Sequence, residues 1–229
     1  MTEFAVPGTQ DLTVSVVRSS RAKRLSLRVS RLDGRARLTV PRGCSDRTAK
    51  AFLADRADWL LGHMANVPDA ATVRFGAQIP FRGEDHTVQM GQGRRVHVAD
   101  GVLWVPKGDD MVAPRVAAFL KATARLDLHR ATSHYADKLG RGFHKITLRD
   151  TRSRWGSCSS LGNLNYSWRL IMAPPAVLDY VAAHEVAHLQ EMNHSPAFWS
   201  LVEGMCPDYR RHRAWLRTHG HSLHRYQFG

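Results

Sequence analysis

Cysteine is scarce: Cys44, Cys158 and Cys206 are the only three in 229 residues. They are far apart, odd in number and form no C-x-x-C pair, so neither a disulfide framework nor a thiolate zinc site is indicated. No stretch approaches the roughly 18 uninterrupted apolar residues of a membrane span. The opening MTEFAVPGTQDL lacks the basic start and apolar run of a signal peptide. The expectation is a cytoplasmic protein with free thiols and no membrane association. No G-x-x-x-x-G-K-[ST] loop is present, so a P-loop fold is excluded, and neither an internal repeat nor a low-complexity linker appears. Acidic residues are few against basic ones, 20 Asp and Glu to 33 Lys and Arg, giving a net charge of +13. That balance favours polyanionic partners such as nucleic acid, nucleotides or acidic surfaces without identifying one. The basic residues crowd between Arg18 and Arg42, where Asp33 is the only acid. This segment reads as a solvated sheet face or as an anion-binding face that associates with nucleic acid.

What is present suits a globular chain: 43% hydrophobic residues over this length bury a core in one large domain or two small ones. Residues 12–18, 25–31 and 36–40 alternate as half-buried strands do, and Asp33-Gly34 sits where a hairpin turn belongs. Ser45 or Asp46 can cap a helix running to about Met64, with apolar residues at helical spacing. Glycines 76, 83, 91, 93 and 101 then punctuate short strands of a meander or small sheet. From Val112 to Leu139 the period becomes helical, with Val116, Phe119, Leu120, Leu126, Leu128 and Tyr135 mostly on one side and Gly140 as the stop. Residues 144–150 form a strand candidate, and 154–173 read as two strands joined by a turn over 159–163. Helices follow from Pro175 to about Met192, from Pro196 to about Met205, and from Asp208 to about His219. The fold expected is α+β: a β-rich N-terminal region with one helix over residues 1–108, then a helical half with a small sheet over 109–229.

The chemistry concentrates in AAHEVAHLQEMNHSPAFW, residues 182–199. On a helix, His184 and His188 share one face about 5–6 Å apart at Cβ, close enough for two imidazoles to grip one ion. Glu185 is rotated away from that face, in reach of a water activated by the metal, which is the place of a general base. A catalytic zinc takes three protein ligands and keeps one position open. His194 is the leading candidate for the third, with Asn193 in the left-handed conformation letting the chain double back. Glu203 on the next helix and His212 on the last one are its rivals. A lone histidine in such a helix is ordinarily a satisfied core or surface residue; three at this spacing, with Glu185 between them, favour a metal site.

The stretch HEVAHLQEMNHSPAFW, the preceding TRSRWGSCSSLGNLNYSWRLIMAPPAVLDYVAAHE and the early RSSRAKRLSLRV together resemble the YgjP-like metallopeptidase family, a relative of SprT-like and WLM zinc proteases. The resemblance runs from about residue 14 to 223. It implies a zincin-like C-terminal half in which His184, His188 and His194 are the metal ligands and Glu185 is catalytic. It is less informative about substrate, since one class of members is linked to nucleotide pyrophosphate hydrolysis.

Around the motif, Arg152, Arg154 and Arg169 are candidates to hold a carbonyl or phosphate oxygen, Arg154 first among them. Cys158 lacks a neighbouring His base and reads as a buried thiol. Phe198 and Trp199 read as packing for the return loop, and Tyr166, Tyr180 and Tyr209 each offer a phenol. The reading is a zinc-dependent hydrolase, a peptidase first, with Zn2+ as cofactor and another divalent transition metal as the alternative. A nucleoside triphosphate hydrolase using the same site is the second reading, and a basic nucleic-acid-binding module with a structural metal is the third.

Overall fold

A computed structural model of the protein describes residues 2–9, 12–30, 34–65 and 70–229. The chain divides into two compact units, Met1–Asp69 and Ala70–Gly229, each with its own apolar core. The architecture is α+β.

In the first unit, strands β1 (Thr2–Ala5), β2 (Thr13–Ser19), β3 (Ser26–Val29) and β4 (Ala36–Pro41) form a sheet in the order β1-β2-β4-β3. Period-two alternation buries Val14, Val16, Leu38 and Val40 and turns Arg37 to solvent. The sequence reading has no counterpart of β1, whose one buried side chain, Phe4, gives no alternation to detect. Of the expected Asp33-Gly34 turn, Asp33 lies outside the described residues, while Gly34 adopts φ +67° and donates its N–H to the Ser30 carbonyl at 2.9 Å. The single helix expected to reach Met64 is two, α1 (Asp46–Asp55) and α2 (Ala57–Ala65). At Arg56 the backbone leaves helical geometry, and its N–H closes a tight last turn on the Leu53 carbonyl. Ser45 caps α1, its hydroxyl accepting the Thr48 N–H at 3.1 Å.

The second unit opens with β5 (Ala71–Thr72) and a four-stranded sheet of β6 (Gln78–Phe81), β7 (Glu84–Gly91), β8 (His97–Ala99) and β9 (Val102–Pro106) in the order β6-β7-β9-β8. Because β7 and β9 run parallel, this is a small sheet with a crossover rather than a meander. The tight turn at Arg82-Gly83, both at positive φ, bonds through its N–H groups to the carbonyls of Ile171 and Met172. A Cβ on Gly83 would come within 2.9 Å of the Pro174 Cα, so only glycine lets the turn approach the start of the next helix but one. The strand-to-helix change expected near residue 108 falls inside this unit, where α3 (Val112–Leu139) begins. Gly140 caps α3 at φ +65°. Its buried stripe is Val112, Val116, Leu120, Ala124, Leu128, Ala131 and Tyr135. Leu126, expected on the same side, is 71% exposed; two residues from Leu128 it lies roughly 200° away around the helix.

Next come β10 (Lys145–Arg149), β11 (Gly156–Cys158) and β12 (Asn163–Ser167), ordered β10-β12-β11. Leu164 and Tyr166 of β12 are buried, while Asn163 and Asn165 alternate with them onto the opposite face. A buried 3₁₀ stretch, Trp168–Met172, leads to α4 (Pro175–Ala187), followed by α5 (Pro196–Met205), α6 (Tyr209–His219) and β13 (Tyr226–Gln227), which pairs with β5. The helix expected to reach Met192 therefore stops at Ala187.

Candidate metal centre

Nearly all of α4 is apolar and buried: Val177, Leu178, Val181, Ala182, Ala183, Val186 and Ala187 all face protein. His184, Glu185 and His188 thus sit in low-dielectric surroundings, where a charge is costly unless it is paired or ligated. Ending the helix at His188 lets the chain reverse through Leu189, Gln190 and Glu191, whose N–H groups bond the carbonyls of Val186 and Ala187. Asn193 does not take the left-handed conformation expected of it; among described non-glycine residues only Arg82 and Asp100 have positive φ. The return is a turn of several residues rather than one left-handed cap. Ser195 then accepts the Phe198 N–H at 3.3 Å and starts α5.

His194 meets the first two histidines. Its Nε2 lies 3.2 Å from His184 Nε2, and one ring nitrogen from each of His184, His188 and His194 falls within 4.8 Å of the others. His188 donates Nδ1–H to the Glu191 carbonyl at 2.9 Å, which leaves its Nε2 lone pair for the convergence point. His184 Nδ1 is buried without a hydrogen-bond partner among the described residues. Burial, then the charges of His188, His194 and Arg213, push His184 down to about 3, and burial lowers His188 as well. Both rings are neutral at pH 7, as metal ligation requires. Phe198, fully buried, packs its ring 4.9, 4.5 and 4.7 Å from the centroids of His184, His188 and His194.

Glu185 is 4% exposed, and burial pushes its carboxyl up to about 8 against the opposing charge of Arg154. Strand β11 closes over it: a Cβ on Gly156 would lie 2.5 Å from Glu185 Oε1. An isolated glycine in a strand signals such close approach, and R-W-G-S-C carried that signal unread. Ser167 N–H donates to the Trp155 carbonyl and Ser159 N–H to that of Asn163. That phase turns the N–H and C=O groups of Gly156 and Cys158 away from β12. Among the described residues, no strand pairs with β11 on its other side.

The rivals for third ligand stand elsewhere. Glu203 pairs with Arg210 at 3.1 Å, and the ring of His212 lies 6.5 Å from that of Tyr180. Arg169 is a buried anchor, bonding both Asp150 oxygens and the carbonyls of Leu223 and Tyr226. Arg154 is exposed and lines a cavity of about 340 Å³ with Arg149, Thr151, Gly156, Ser157 and Asn165. Burial pushes the Cys158 thiol up to about 11, opposite to the shift a nucleophile needs. Of the three tyrosines, Tyr180 has its ring 5.9 Å from that of His184, whereas Tyr166 lies in the core accepting a bond from Thr132.

The family model of the YgjP-like metallopeptidase domain matches residues 23–219. The chain belongs to this family. Membership of the YgjP-like metallopeptidases makes it a metal-dependent peptidase with a peptide or protein substrate and a metal cofactor, and the three-histidine group supplies ligand chemistry for such a metal. Among solved structures, it is similar to the metallopeptidase zymogen of Pyrococcus abyssi abylysin, at 20% identity and a TM-score of 0.34, over 39% of this chain and 93% of that one. No curated protein matches it. Among the described residues, no helix is long and apolar enough to cross a membrane.

Proposed function

We propose that this YgjP-like domain is a zinc peptidase in which His184, His188 and His194 hold the ion and Glu185 is the general base. The observation that carries the reading is the meeting of three imidazoles with the buried carboxyl of Glu185 beside them. One nitrogen from each ring lies within 4.8 Å of the others, and three imidazoles are a donor set that suits a catalytic zinc. Three protein donors leave one coordination position for chemistry.

Zinc held there supplies Lewis acidity, lowering the pKa of water to about 7 and polarising a carbonyl. Glu185 takes the proton of the attacking water on a carboxylate oxygen and returns it to the departing amine. The outward-facing backbone of Gly156 and Cys158 accepts the substrate as an added strand and fixes its direction. Every residue in this account falls within 109–229, the zincin-like portion, and the cytoplasm is the expected compartment.

Metal analysis and peptide hydrolysis on three proteins test the scheme. Glu185→Gln retains stoichiometric zinc and loses turnover by about 10²–10⁴, whereas His188→Ala loses both. Undiminished turnover by the Gln variant removes the base assignment.

A second activity is favoured by one observation in the first unit. Arg28 and Arg37 stand directly opposite each other across β3 and β4, both exposed, an arrangement that is unfavourable without an anion. Nucleic-acid association through this face predicts duplex DNA affinity that falls steeply between 50 and 200 mM salt, with a shallower slope in Arg28→Gln. Salt-independent binding, or none, removes it.

A further inference from the structure

The cavity of about 340 Å³ beside β11 has two arginines in its lining, Arg149 and Arg154, and no acid. Neither guanidinium has a hydrogen-bond or ion-pair partner among the described residues, although each has a carboxylate near in sequence or space. Asp150 follows Arg149 but spends both oxygens on Arg169, at 2.6 and 3.1 Å. Glu185 feels the charge of Arg154 without forming an ion pair with it. Besides Gly156, the rest of the lining is polar: Thr151, whose hydroxyl bonds the Arg154 carbonyl at 2.8 Å and holds the turn, and Ser157 and Asn165, which bond each other at 3.4 Å.

Register places this cavity relative to the edge of β11. Thr147, Asn165 and Ser157 stand in one row across the three strands, and Arg149 lies two residues beyond Thr147 on the same face. Gly156 and Cys158 belong to the other face, the one closed by Glu185. A peptide added to the free edge of β11 directs alternate side chains to the two faces. Those next in sequence to the ones facing Glu185 come over the arginines.

We infer that Arg149 and Arg154 form a specificity pocket for an aspartate or glutamate side chain of the substrate. The inference rests on the strand-addition part of the proposed function and names the substrate class that this function acts on. Two guanidiniums, one at the end of β10 and one in the segment just before β11, without a counter-ion, accept a carboxylate with charge-assisted hydrogen bonds, and the polar floor completes them. A neutral side chain leaves both arginines as they are, and a lysine is repelled.

Binding to the zinc-loaded Glu185→Gln variant tests this without depending on turnover. The probes are fluorescein-labelled octapeptides of threonine and alanine carrying one Glu, Gln or Lys at each position in turn, read by anisotropy. Glu is expected to bind about tenfold tighter than Gln at alternate positions only. That ratio collapses when Arg149→Gln or Arg154→Gln is added and persists in Arg94→Gln, a control for the overall positive charge. Equal affinities for Glu and Gln, no measurable binding, a ratio unchanged by Arg149→Gln, or a pocket that is blocked by ATP but shows no Glu preference overturns the inference. Wild-type enzyme that cleaves these peptides without acid preference sinks the pocket alone. A Glu preference in binding with no cleavage by the zinc-loaded wild type sinks the peptidase reading alone.

Discussion

Gly156 carries more of the site than its size suggests, because the space its side chain would fill is already held by the Glu185 carboxyl. Gly156→Ala is expected to displace one or the other, lowering peptide turnover at least tenfold while zinc content stays stoichiometric and stability falls by about 1–3 kcal/mol. Metal analysis alongside kinetics checks it; unchanged turnover means that the strand and the carboxylate are not in this contact. Phe198 acts differently, as the common wall of three imidazoles. Phe198→Ala is expected to cost about 3–5 kcal/mol and to weaken zinc binding without removing a ligand, measurable by denaturant unfolding and by competition with a chelator. The spacing of His184, Glu185, His188 and His194 was legible in sequence because helical geometry alone brings the first three together. The position of Gly156 opposite Glu185 was not, since the two belong to elements that meet only in the folded unit.

At the scale of elements, the segment before β11 is fastened to the C-terminal segment through Arg169. Burial acts to raise the Asp150 carboxyl, but the Arg169 bonds and charge prevail and hold it below its ordinary value of 3.8. A carboxylate depressed in the folded state contributes stability that is fully present above the unfolded pKa and is lost as pH falls through the folded one. Acid unfolding below about pH 4 is therefore expected to include this pair. Arg169→Met should lower stability at pH 7 by about 1–3 kcal/mol and flatten the dependence below pH 4, as urea titrations at pH 3, 4 and 7 would show. Element types were mostly legible from periodicity: α3 runs from Val112 to Leu139, and β10 and β12 lie where alternation put them. The end of α4 was not. Local pattern favours helix beyond His188, and the reversal there depends on the His188 bond to Glu191 and on Phe198 packing from the next helix.

For the whole molecule, zinc is expected to act on one unit, since all three histidines lie in Ala70–Gly229. At a free concentration about 100 times Kd, zinc should add about 2.7 kcal/mol to that unit's stability and leave Met1–Asp69 unaffected. Calorimetry with and without metal, repeated on His188→Ala, measures it; an equal shift in the His188→Ala protein means that zinc acts elsewhere.

From sequence alone came the α+β class, the helix bearing His184, Glu185 and His188, the resemblance that family membership bears out, and the excess of positive charge, because each depends on composition or on contacts within a few residues. Tertiary structure decided the rest. It broke the helix at Arg56, added β1, divided the chain into compact units at residue 69 and sent Arg169 to Asp150 instead of a substrate. It also turned the edge of β11 outward next to two unpaired arginines. These outcomes depend on which segments distant in the chain become neighbours, and burial and pairing set that only once the whole unit has closed.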